Sequence, residues 1–227
     1  MAPHPQAPSK AAPLKIWGRA NSVNVQKVLW CAAELGLAFH RIEAGMEHGQ
    51  VDTPAYRAMN PNGRVPTIED GDVVLWESHA IMRYLALRAI GSDPRAAAAL
   101  LYPEGAAHRA RVERWLDWTL STLQPAERNL FWGMVRTPPE KRDTAAIAAA
   151  HKATAALWTI VDAHLAHGMP FIEGENPTLA DIALGSYARR WFGIAMLGSP
   201  ELPRMKAWYA RLEERPGFQQ HVAPPMT

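Results

Sequence analysis

Apolar positions recur along this chain with two periods, and the change of period divides it. Leu14-Lys-Ile-Trp17 and Ala38-Phe-His-Arg-Ile-Glu43 are short runs that read as strands. Between them Val25, Val28, Leu29, Ala32 and Leu35 repeat at helical spacing until Gly36, a C-terminal cap. A helix between two strands makes those strands parallel. The stretch from Ala44 to Met59 lacks a clear period, with one helical turn expected near its end. Pro66–Glu69 and Asp72–Leu75 predict a hairpin around Asp70-Gly71. Ile81, Met82 and Leu85 then place an amphipathic helix from Glu77 to about Arg88.

Gly91-Ser-Asp-Pro94 punctuates the chain, and beyond it only the helical period remains. Val112, Trp115, Leu116, Leu120 and Leu123 form one stripe, which Pro125 should kink or interrupt; Leu130, Phe131 and Met134 continue it. Thr137-Pro-Pro139 breaks the pattern, and Ile147, Leu157, Ile160, Val161 and Leu165 mark another long helix. Thr178-x-x-Asp181 reads as a capping box with Asp in place of Glu, and Asp181 is assigned to folding. Met205, Trp208 and Leu212 suggest a last helix before Pro216. The expected organisation is a loose tail over 1–13, an α/β domain over 14–90, a linker over 91–103 and an all-helical domain over 104–220.

Composition narrows the function classes. A 48% hydrophobic fraction in 227 residues is ample for packed cores in one large or two small domains. The net charge of +2, without a Lys/Arg run, argues against nucleic acid as the main partner. No apolar run is long enough to span a bilayer, and the Pro/Ala-rich start lacks the apolar centre of a secretory signal. The single cysteine, Cys31, excludes an internal disulfide framework and a Cys-x-x-Cys pair, and fits a reducing cytoplasm. It lies well inside a predicted helix and reads as a small buried hydrophobe, not a nucleophile.

Three stretches carry candidate chemistry. Asn60-Pro-Asn-Gly-Arg-Val-Pro66 is dense turn sequence in which Val65 is pushed to extended geometry by the proline after it. A cis Val65–Pro66 bond would turn the N–H and C=O of Val65 outward, toward an extended peptide. Glu77 and Ser78 open a helix, whose N-terminus is a ready carboxylate site. Ser22 and Asn24 lie where the first strand yields to the first helix. A thiol placed there meets unpaired N–H groups and the positive end of the helix dipole, which favour thiolate; a serine hydroxyl there could also simply be a helix cap.

Val-Pro, a short hairpin and Glu-Ser at a helix start together resemble the glutathione site of the cytosolic glutathione transferases, over about Leu14 to Phe218. No tyrosine lies in the first loop, so the resemblance is to bacterial serine- or asparagine-type members (theta-, beta- or nu-like). The resemblance implies a thioredoxin-like domain followed by an all-helical domain. It also implies conjugation of glutathione, as co-substrate and without a metal, to small hydrophobic electrophiles. By the same resemblance Val65 and Pro66 hold the cysteinyl backbone, Glu77 and Ser78 the γ-glutamyl ammonium and carboxylate, and Arg64, His48 and Gln50 the glycyl end. Ser22 or Asn24 activates the thiol, and the two are not ranked. Trp115 and Trp118 are candidates for the hydrophobic-substrate pocket. A cytoplasmic homodimer is implied, without nucleic-acid or membrane partners. Two alternatives stay open: a glutathione-dependent disulfide reductase or peroxidase, which Asn24 favours, and a non-catalytic binding protein of the same fold.

Overall fold

The computed structural model describes residues 13–92, 97–194 and 196–227. The first half is built on four short strands: β1 (Leu14–Trp17), β2 (Phe39–Ile42), β3 (Thr67–Asp70) and β4 (Val73–Trp76), in the order β2-β1-β3-β4. β1 and β2 are parallel, as the helix between them requires; β3 runs antiparallel to β1 and to β4. Leu14, Ile16 and Ile68 bury one face of the sheet against helices α1 (Val23–Glu34) and α3 (Ser78–Ser92), which contribute Val25, Val28, Leu29, Ile81 and Leu85. A short helix α2 (Pro54–Met59) precedes β3.

The hairpin loop is Gly71-Asp72, one residue beyond the expected centre, because Asp70 still pairs with Val73. Helix α3 runs on to Ser92, past the expected end at Arg88. The stretch expected as a linker holds that helix end and helix α4 (Ala97–Leu101); residues 93–96 lie outside the described residues, as do residues 1–12 of the expected tail.

The second half is helical. Helix α5 (Ala106–Trp118) does not stop at Pro125. It passes through a widened π-turn at Thr119–Leu123 into α6 (Gln124–Phe131), with a second widened turn at Trp132–Arg136. Pro125 removes an N–H and crowds the preceding turn, and a wider turn just before it accommodates both without breaking the rod. Helices α7 (Thr144–His164), α8 (Leu179–Gly193), α9 (Pro203–Glu213) and α10 (Pro216–His221) complete the half. The capping box at α8 is present: Thr178 N–H donates to Asp181 at 2.8 Å, and the Thr178 hydroxyl accepts from Ala180 N–H at 3.3 Å. Asp181 also accepts from Ile172 N–H at 2.9 Å and Trp208 Nε1 at 2.8 Å, so one buried carboxylate ties three segments together.

The halves meet along α1. Trp30 is fully buried, edge-on to Phe218 at 5.1 Å. It fits because Gly185 has no side chain: a Cβ there would come within 3.1 Å of the Trp30 ring. Lys27, also fully buried, bonds His79 Nε2 at 2.8 Å and lies 5.5 Å from the Tyr187 ring of α8. Complete burial, and then Arg190, bring its pKa down to about 7. Cys31 is buried on the same helix, where burial pushes its thiol pKa up, consistent with an inert packing role. Among the described residues no helix is long and apolar enough to cross a membrane.

Candidate active site

Strand register gathers the three chemistry-bearing loops at one end of the sheet. Trp17 lies opposite Thr67, and Thr67 opposite Trp76. The loop after β1, the Val65–Pro66 turn before β3 and the Glu77–Ser78 turn after β4 therefore leave the sheet side by side. Between this end and the helical half lies a cleft of about 360 Å³, within the range of small-molecule sites. Ser22, Asn24, Arg64 and Val65 line it from the sheet side.

Ser22 is the residue before α1, in extended geometry, and its side chain makes no capping hydrogen bond. The cap reading of Ser22 is therefore not what the structure shows, and the hydroxyl is not spent on the helix. Its carbonyl accepts from Gln26 N–H at 2.8 Å, which leaves the first-turn N–H groups without an intrahelical acceptor. Asn24 lies two residues on, in the first turn of α1, with its Oδ1 buried and without a hydrogen-bond partner among the described residues. Gly18, just before, allows the loop to close: a Cβ there would lie 2.4 Å from Val25 and 3.2 Å from Val65.

The Val65–Pro66 bond is cis. The turn is held from behind by a network that the sequence did not announce. Tyr56 hydroxyl donates to the Arg64 carbonyl at 2.7 Å and lies 2.8 Å from Thr67 Oγ1. Asn60 Nδ2 donates to the same carbonyl at 2.8 Å and to Thr67 Oγ1 at 3.0 Å. Asn60 and Tyr56 are buried polar groups whose bonds converge on one loop, and their turn-rich context was the available signal. Among the described residues nothing hydrogen-bonds to the main-chain N–H or C=O of Val65.

Glu77 caps α3, accepting from Ile81 N–H at 2.9 Å, and holds φ at +72°. A non-glycine residue in that region is uncommon and clusters at functional sites. Ser78 is buried beside it. Neither residue lines the cleft itself. His48 and Gln50 also lie outside its lining, although Val51 belongs to it. His48 instead faces Glu43 at 3.4 Å and Glu47 at 3.5 Å.

The helical wall differs from expectation. Trp115 is buried, donates from Nε1 to Glu173 at 2.6 Å and packs against Trp118 at 5.4 Å; neither tryptophan lines the cleft. Their face of α5 turns into the helical core. The apolar wall is Phe131 and Trp132, past the first widened turn that the sequence pattern did not reveal, together with Tyr187 of α8. Arg190 stacks its guanidinium 3.5 Å from the Phe131 ring centre and pairs with Glu127 at 3.1 Å. Burial raises the Glu127 carboxyl pKa, and Arg190 opposes that.

Comparison with known proteins agrees over most of the chain. The family model described as Glutathione S-transferase, N-terminal domain matches residues 12–87, and Glutathione S-transferase, C-terminal domain matches residues 123–216. Glutathione S-transferase GstB of Escherichia coli (strain K12) is 40% identical, over 94% of this chain and 100% of that protein. Glutathione S-transferase 3 of Zea mays is 33% identical, over 93% and 94%. Among solved structures, the theta class glutathione S-transferase of Xanthomonas axonopodis pv. citri with glutathione bound superposes with a TM-score of 0.87 and 49% identity. That match covers 95% of this chain and 100% of that one.

Proposed function

The chain belongs to the glutathione S-transferase family, and from that premise we propose which of its groups carry out glutathione conjugation. Glutathione is the co-substrate. Its cysteinyl backbone lies antiparallel to Val65, whose main-chain groups are free to pair with it. The γ-glutamyl carboxylate sits at Ser78 and the α3 N-terminus, with Glu77 facing the ammonium group. Arg64, on the cleft rim, takes the glycyl end; His48 and Gln50 contribute at most from outside the cleft.

The sulfur then falls beside Ser22 and Asn24. The uncommitted Ser22 hydroxyl at the head of α1 is the observation that carries this reading: a thiolate there gains a charge-assisted hydrogen bond and the dipole of the helix. The unbonded Asn24 carboxamide offers a second polar contact. Thiolate attacks the electrophilic carbon, and the leaving group departs toward the helical wall. The electrophile's apolar part rests on Phe131, Trp132 and Tyr187.

The working division is a glutathione-binding unit over 14–90 and an electrophile-facing unit over 104–220. A homodimer is supported by the exposed apolar side chains Val73, Val74, Trp76 and Leu87 on β4 and α3. A cytoplasmic setting is supported by the lone, buried, unpaired Cys31.

Calorimetry with reduced glutathione and with its disulfide tests the assignment. Binding of the reduced form together with conjugation of an aryl halide supports it. Binding of the disulfide form, with turnover of a mixed disulfide and none of aryl halides, would replace it with a reductase.

A further inference from the structure

The cleft is lined by five arginines, Arg19, Arg64, Arg128, Arg136 and Arg190, and among the described residues by a single carboxylate, Glu127. A chain of net charge +2 has no compositional reason to gather them there. Glu127 is already paired with Arg190. Arg19 and Arg136 have no carboxylate within 4.0 Å among the described residues, and each has a buried Nε without a hydrogen-bond partner. Among the described residues the Arg136 guanidinium has one hydrogen-bond acceptor, the weak Met46 thioether at 3.8 Å, and lies 5.7 Å from the Phe131 ring centre. Burial, and then Arg136 and Arg190, depress the pKa of Arg19, and burial and Arg190 do the same to Arg136; Glu47, beyond salt-bridge distance, opposes both shifts only in part. Half-buried cations that repel one another, with one carboxylate acting on both from a distance and no close anion, are costly unless a ligand supplies one. In the binding mode proposed above, the two glutathione carboxylates are taken by Ser78 and Arg64, which leaves Arg19 and Arg136 for the second substrate.

We propose that the electrophile is a small organic carboxylate, whose anionic group docks between Arg19 on the sheet side and Arg128 and Arg136 on the helical wall. Its reactive carbon then faces the sulfur at Ser22 and Asn24, with its apolar body against Phe131 and Trp132. This rests on the transferase reading and replaces its neutral hydrophobic substrate with an acidic one. Guanidinium forks recognise carboxylates bidentately and remain charged at every relevant pH.

The test uses two aryl chlorides that differ only in charge, 4-chloro-3-nitrobenzoate and 4-chloro-3-nitrobenzamide. In both, the thiolate forms a carbon–sulfur bond at C4, chloride leaves with the carbon–chlorine electron pair, and the thiol proton goes to solvent. Each kcat/KM is taken relative to the uncatalysed reaction with glutathione. The full-length protein should prefer the carboxylate by about tenfold or more, the scale of a charge-assisted hydrogen bond. Arg136→Gln should remove most of that preference, and Arg136→Lys should restore part of it. Arg128→Gln, at an exposed position, should reduce the preference without a folding penalty, while the calorimetric Kd for reduced glutathione stays within about twofold. Equal preference for the two chlorides in the unmodified protein overturns the proposal. So does a preference unchanged in both glutamine variants, or a loss of glutathione affinity in them that accounts for the whole effect. No glutathione binding by the unmodified protein overturns the transferase reading instead.

Discussion

Across the cleft, the sheet-side rim offers main-chain groups, a helix N-terminus and two short polar side chains, flanked by Arg19 and Arg64. The helical wall offers long guanidinium groups and aromatic rings. The rim is held by strand register and by the Tyr56–Asn60–Thr67 network, so its geometry is a property of the backbone. The wall depends on which residues of the continuous α5–α6 rod, and of α8 beside it, point inward, so one substitution or one widened turn changes it. A peptide common to every turnover suits the first kind of surface, and a variable partner suits the second.

The largest effect separating the two surfaces concerns what supports the wall. Asp181→Ala strands the donors of Ile172, Thr178 and Trp208 in the helical core. Each buried unsatisfied donor costs roughly 1–3 kcal/mol, so the three together should cost at least about 3 kcal/mol in urea unfolding. A loss below about 1 kcal/mol would mean that the carboxylate is not the tie described. On the rim, Ser78→Ala should weaken glutathione binding by about 1–3 kcal/mol and leave the choice of electrophile untouched. An unchanged dissociation constant would remove Ser78 from the site.

At the joint between the two surfaces, Lys27 links stability to pH. Its pKa falls from 10.5 to about 7 on folding. Between those values the unfolded chain binds the extra proton, so stability should rise as pH increases from 7 toward 10, by at most about 1.4 kcal/mol per unit. Lys27→Met should flatten that part of the stability–pH curve; a curve parallel to the unmodified protein's would show that the amine is not depressed. The smallest expected effect sharpens the wall itself. Trp118→Phe, outside the cleft, should leave the KM for electrophile within about twofold. A tenfold rise would return that tryptophan to the pocket.

The same contrast explains what could be read from the sequence. Val65-Pro66 and Glu77-Ser78 are local signals, and a strand-helix-strand-helix-hairpin-helix order leaves few ways to arrange them. The strands, the capping box at Thr178 and the buried Cys31 came from short-range pattern alone. The wall did not, because Trp115 and Trp118 carry the same helical spacing as any cleft-facing pair. The turn at Thr119–Leu123 that separates their face from that of Phe131 and Trp132 leaves no mark in an apolar period. Nor does spacing show that Arg19 and Arg136, over a hundred positions apart, share one cleft. His48 and Gln50, which the resemblance implies for the glycyl end, sit in a loop with positive φ at Met46 and Gln50 and do not line the cleft, a backbone path that no residue spacing reveals.

The most direct test of thiol activation is a titration of the glutathione thiol bound to the protein, read by the ultraviolet absorbance of the thiolate. Activation at the head of α1 predicts a pKa below the value of about 8.5 for an unperturbed cysteine thiol, and a rise toward it in Ser22→Ala, in Asn24→Ala, or in both. A bound thiol that titrates like a free one, or a depressed value that neither substitution raises, would contradict it.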